Sequence, residues 1–219
     1  MRLFLSSHRF GDAQERLVPL MRGGLRVCVI SNALDLIPAE ARAAYAAQVY
    51  DVRQAFAELG LEASDLDLRD HARDSEGLAR RLRAADLVWV TGGNVFVLMR
   101  AMARCGFGPL IREGLARDAL VYGGESAGAV AAGPSLRGFE LMDPPGEVPE
   151  GYRPETEWEG LRLIDFAVVP HHRSGGPESP AAEDLVRRFQ AEGTPFRALS
   201  DGQALIADGG PARLCGAGR

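Results

Sequence analysis

The sequence predicts an α/β protein, a three-layer sandwich whose mostly parallel central sheet carries helices on both faces. Three observations predict it. The apolar runs Leu25 to Ile30 and Leu87 to Val90 have strand length and no polar alternation, as strands buried on both faces do. Helical stretches alternate with such runs at the spacing of βαβ units. Two of the strand-to-helix junctions, at Thr91-Gly92-Gly93-Asn94 and Gly123-Gly124-Glu125-Ser126-Ala127-Gly128, are rich in glycine.

The elements follow in order. Arg2 to Leu5 reads as a first strand and Leu25 to Ile30 as a second. A single helix is expected from Glu40 to Leu59, because Tyr45, Val49, Val52, Phe56 and Leu59 form one apolar stripe and Gly60 can end it. A weaker strand is expected over Asp65–Leu68, then a charged helix over Glu76–Ala84. After the Leu87 to Val90 strand, a helix opens near Val95 and another covers Pro109–Arg117. Leu120 to Tyr122 is the next strand. Residues 133–160, rich in Gly, Pro and Glu, read as an irregular excursion with at most one short strand. Leu161 to Val169 resumes as a central strand, a helix follows near Ala181–Ala191, and the tail forms short strands turning at Asp201-Gly202 and Asp208-Gly210.

Composition bounds the function. The 219 residues suit one domain, expected to span 1–219, with 46% hydrophobic and 25% charged residues. The net charge of −5 offers no basic footprint for nucleic acid. No apolar run approaches the roughly 18 residues of a membrane span, and the first residues lack a secretory pattern. Cys28, Cys105 and Cys215 have no ligand or disulfide spacing. A reduced, cytoplasmic compartment is the expectation, with no metal and no cofactor.

Parallel sheets gather function at the carboxyl ends of their strands. Gly124-Glu125-Ser126-Ala127-Gly128 stands there, between a strand and a run of small residues that can open a helix. That is the setting of a nucleophile elbow, in which a sharp turn lifts the serine hydroxyl and aims the next N–H, here of Ala127, at a developing oxyanion. A serine needs a base. Of the four histidines, His171 and His172 follow an apolar run at the same sheet edge, and His171 is nearer the strand end. The third member of a triad would orient that imidazole. Between Ser126 and His171 the carboxylates are many, and spacing alone does not choose among them; Glu140 stands out by its apolar neighbours Phe139, Leu141 and Met142. The Gly92-Gly93 turn can supply a second oxyanion donor from Gly93, or can simply be a helix start capped by Asn94.

Gly92-Gly93-Asn94, then Gly124-Glu125-Ser126-Ala127-Gly128-Ala129, then Val169-Pro170-His171, in this order, resemble the peptidase E (dipeptidase E) family of serine peptidases. The resemblance implies a class I glutamine amidotransferase-like fold. It implies Ser126 as nucleophile, His171 as base, and Gly93 with Ala127 as the oxyanion hole. The family's acid is an aspartate a short way past the serine; the nearest carboxylate here is Glu140, 14 residues on, with Asp143 in reserve. The expected triad is therefore Ser126, His171 and Glu140. Usual members cleave dipeptides that begin with aspartate and hold that side chain with a downstream arginine. The matching stretch Gly175 to Ala181 has none. Arg173 is the substitute, Glu125 a candidate for the substrate's α-ammonium, and Asn94 a further substrate-binding candidate.

The expected activity is that of a serine exopeptidase acting on dipeptides without strict N-terminal aspartyl specificity. A small peptide is the expected partner, with a second copy of the chain as the candidate protein partner. The alternatives are a cyanophycinase-like exopeptidase and a non-catalytic binding module on the same fold. An amidotransferase is excluded because no cysteine stands at the elbow.

Overall fold

The computed structural model describes residues 1–217. Nine strands are formed among them: β1 (Arg2–Ser6), β2 (Arg26–Ile30), β3 (Glu62–Asp65), β4 (Leu87–Val90), β5 (Val121–Glu125), β6 (Ala167–Val169), β7 (Phe196–Ala198), β8 (Ala204–Asp208) and β9 (Arg213–Cys215). The helices are α1 (Leu17–Leu20), α2 (Ala39–Gln48), α3 (Val52–Glu58), α4 (Ser75–Ala84), α5 (Val95–Cys105), α6 (Phe107–Ala116), α7 (Ala127–Ala131) and α8 (Ser179–Glu192). Seven strands form one sheet in the order β3-β2-β4-β5-β1-β8-β9. The first five are mutually parallel; β8 runs antiparallel to both β1 and β9.

Successive side chains of a strand point to opposite faces, and this alternation builds two cores. Leu3, Leu5, Cys28, Ile30, Val88, Val90 and Tyr122 face one layer, built chiefly from α4 to α8. Phe4, Val27, Val29, Leu87, Trp89 and Val121 face the other, with Phe10, Leu17, Leu20 and Phe56. In that second layer Phe10 and Phe56 meet the fully buried Trp89 edge-on, with centroids 5.0 and 5.6 Å away. The α/β three-layer sandwich is thus the architecture of the molecule. No helix among the described residues is long and apolar enough to cross a membrane.

Three expectations need correction. The stripe over Glu40–Leu59 is two helices, α2 and α3, because Asp51 caps a new helix by accepting the Arg53 N–H at 2.8 Å. Tyr45 and Val49 are 49% and 59% exposed, and only Phe56 of the stripe is fully buried. The weak strand lies at Glu62–Asp65, not Asp65–Leu68. The long Leu161 to Val169 strand shrinks to β6, and β6 leaves the central sheet altogether to pair in parallel with β7 in a separate two-stranded sheet. Leu161 and Leu163 are buried, but their N–H groups go to the carbonyls of Ala131 and Ala132 after the elbow. The excursion over 133–160 forms one isolated bridge, Ser135 to Glu159, and no strand.

That excursion is nonetheless fixed. Arg100 on α5, only 4% exposed, donates to the carbonyls of Pro145, Glu147, Pro154 and Glu155 at 2.7 to 3.4 Å, and to the Thr156 hydroxyl. The Tyr152 hydroxyl donates to Asp35 beyond β2. A buried guanidinium that satisfies several carbonyls at once holds an irregular segment much as a ladder holds a strand.

Candidate active site

The elbow is built by close approach. Ser126 follows β5 with φ 49° and ψ −114°, a conformation that side-chain-bearing residues rarely adopt, and α7 begins at once after it. A Cβ on Gly128 would lie 2.2 Å from the Val90 carbonyl oxygen, and one on Gly124 would lie 2.5 Å from the Gly128 carbonyl carbon. Helix and strands therefore touch backbone to backbone on both sides of the serine. The Ser126 N–H is secured by the Ser6 carbonyl at the end of β1.

The imidazole arrives from the second sheet. Ser126 Oγ and His171 Nε2 are 2.9 Å apart, and His171 Nδ1 is 2.7 Å from Asp201 Oδ1. His171 follows β6 by two residues and Asp201 follows β7 by three. Because β6 and β7 are parallel, with Val169 opposite Ala198, both chain exits lie at one edge. Ser7 ties them together. Its buried hydroxyl accepts the His171 N–H at 2.7 Å and lies 2.9 Å from Asp201 Oδ1 as donor. Burial pushes the Asp201 carboxyl up, but hydrogen bonds from His171 and Ser7 outweigh it and hold the group below its ordinary value. It is an anion at neutral pH, suited to keep a proton on Nδ1 and leave Nε2 free to accept one.

Asp201 is the residue that sequence reasoning missed. Asp201 lies beyond His171 in the chain, and in the sequence Asp201-Gly202 carries only a turn signal. Glu140 is elsewhere: it pairs with Arg188 on α8 at 2.7 Å and accepts the Gly138 N–H at 2.6 Å. Its apolar neighbours in sequence do not bury it against the imidazole. The reserve acid Asp143 accepts the Val95 N–H at 2.8 Å and makes no hydrogen bond to His171 among the described residues.

Ser126 and His171 open into a cavity of about 400 Å³, lined also by Gly93 and Ala127. Gly93, at φ 131°, sits with its Cα against the Ala33 carbonyl, where a Cβ would come within 2.5 Å of the oxygen. Only glycine lets that loop pass so close to the Ala33 backbone. The other expected contacts fall outside. Asn94 is the N-cap of α5: its Oδ1 accepts from Phe96 and Val97, and its Nδ2 donates to the Pro144 carbonyl. The Arg173 side chain is 78% exposed and pairs with Glu183. Glu125 is buried and accepts the Arg9 N–H instead of lining the cavity.

Burial pushes the Glu125 carboxyl up to about 7, against an ordinary 4.5, and the Arg9 contact only partly opposes it. Between those values the folded chain keeps a proton that the unfolded chain has lost. Stability therefore falls as pH rises through that window, by a total on the order of 3 kcal/mol. Glu125→Gln is expected to flatten this slope in denaturant titrations run across the window. Equal slopes for variant and wild type would refute it.

A mostly parallel α/β sheet with a serine at a strained strand-to-helix elbow is the frame on which one class of enzymes carries its nucleophile. The chain belongs to peptidase family S51, whose model matches residues 6–215, and is thus a peptidase hydrolase. It is similar to an uncharacterized peptidase of Listeria innocua, 36% identical over 122 residues, which are 56% of this chain and about half (55%) of that protein. It is 33% identical to peptidase E of Streptomyces coelicolor over 205 residues, covering 85% of this chain and 78% of that one. A crystal structure of a provisionally assigned peptidase E protein from Listeria monocytogenes superposes with a TM-score of 0.78 at 27% identity, over 99% of this chain and 98% of the other.

Proposed function

We propose that the protein is a serine dipeptidase in which Ser126, His171 and Asp201 act as the triad. The observation that carries this is the line from hydroxyl to imidazole to carboxylate, with steps of 2.9 and 2.7 Å. Ser126 Oγ attacks the carbonyl carbon of the scissile bond while His171 Nε2 takes its proton. The imidazolium, held by Asp201, returns a proton to the leaving amine. The Gly93 and Ala127 N–H groups receive the oxyanion; Ala127 is suited to this as the first residue of α7, whose N–H has no partner within the helix. Water then attacks the acyl-serine with the same base.

Strict selection of N-terminal aspartate is not part of this reading. Arg173 points to solvent, and no arginine lines the cavity among the described residues. The chain contains no lysine at all.

The test has two arms. A fluorophosphonate probe is expected to label Ser126 in the native protein and not after heat denaturation, and a panel of dipeptides is expected to be hydrolysed without metal. A folded protein that takes no label at Ser126 would be a binding module instead.

A further inference from the structure

The cavity at the elbow is chemically lopsided. Val130, Phe139 and Met142 give it an apolar wall. Asp143 and Glu178 also line it, with no arginine beside them among the described residues. Asp143 is not an incidental surface acid. The stretch that follows it is strapped down by Arg100, and its Oδ2 is fixed by the Val95 N–H. Its Oδ1 receives no hydrogen bond among the described residues and is left for a ligand.

Covalent geometry says what that ligand has to be. An enzyme that removes the first residue of a peptide attacks a carbonyl carbon lying about 2.5 Å from the α-nitrogen. The group that recognises a free amino terminus must therefore line the same cavity as the nucleophile, as Asp143 does. No arginine or lysine among the described residues lines the cavity to compete for the carboxylate.

We propose that Asp143 binds the substrate's α-ammonium, with Glu178 adding to the negative field, and that the apolar wall takes an uncharged first side chain. The substrate class is unblocked dipeptides with an apolar first residue. This rests on the serine-dipeptidase reading above. An aspartyl side chain would meet two carboxylates and no cation, which selects against it by repulsion. Burial pushes the Asp143 carboxyl up to about 6, which leaves it an anion at neutral pH, and the same burial strengthens its attraction for an arriving ammonium.

The experiment compares Leu-Leu, N-acetyl-Leu-Leu and Asp-Leu on wild type and Asp143→Asn, with fluorophosphonate labelling of Ser126 in the same samples. Asparagine keeps an acceptor for the Val95 N–H, so the fold is preserved. Wild type is expected to prefer Leu-Leu over both other peptides by about 100-fold. Asp143→Asn is expected to raise KM for Leu-Leu by about 10- to 100-fold, with a smaller change in kcat. Acetylated peptide hydrolysed as fast as free peptide, preference for Asp-Leu, or an unchanged KM in a labelled variant would each overturn the proposal. Absence of labelling in wild type would instead remove the dipeptidase reading beneath it.

Discussion

Replacing Ser126 by glycine is expected to abolish dipeptide hydrolysis and to make the protein more stable. Loss of a serine nucleophile typically costs about six orders of magnitude in kcat, leaving only what binding and the oxyanion hole provide. The stability gain has a separate cause. At φ 49° and ψ −114° a side-chain-bearing residue is strained by about 1–3 kcal/mol. Glycine adopts the same angles freely but loses about 0.5–1 kcal/mol through its more mobile unfolded chain. The net expectation is about 1 kcal/mol of added stability, read by urea unfolding beside a dipeptide assay. A variant that is inactive yet less stable would mean that the elbow holds no strain at this position.

Asp201→Asn is expected to lower kcat by about 10⁴ while leaving KM nearly unchanged. The carboxylate accepts the His171 Nδ1–H and the Ser7 hydroxyl together. An amide there presents an N–H₂ to Nδ1, favours the tautomer with its proton on Nε2, and so blocks acceptance of the serine proton. Glu140→Gln is the control. It breaks a partly exposed, solvent-screened pair with Arg188 and leaves the cavity lining unchanged. Steady-state kinetics on both variants decide the matter: a deep loss with Glu140→Gln and little with Asp201→Asn would reverse the assignment.

The contrast between these two acids shows how far the sequence could be read. Ser126, Gly93 and Ala127 were legible because an elbow and a glycine turn are local: strand, small residues and helix start are neighbours along the chain. His171 was legible by elimination among four histidines, although the strand before it belongs to a second sheet rather than the central one. Asp201 was not legible, because its proximity to His171 depends on β6 pairing with β7 across 26 residues of intervening chain that include α8. Local apolarity pointed to Glu140, but the groups that satisfy it, Arg188 and the Gly138 N–H, are set by how the excursion packs on α8. The break between α2 and α3 was hidden for a simpler reason. The apolar stripe runs unbroken in sequence past the capping Asp51, and the Ala-rich first half buries nothing that requires one continuous helix.

Ser126 and His171 belong to different sheets, and this bears on how the protein fails when warmed. Ser126 rides on the seven-stranded sheet, while His171 and Asp201 hang from a ladder of only three residue pairs, fastened at its tip by the Ser7 hydroxyl. Small ladders open at lower free energies than wide ones. Thermal inactivation is then expected to begin as a parting along this seam, before global melting, and an inhibitor that bridges both sides is expected to narrow the gap between the two temperatures.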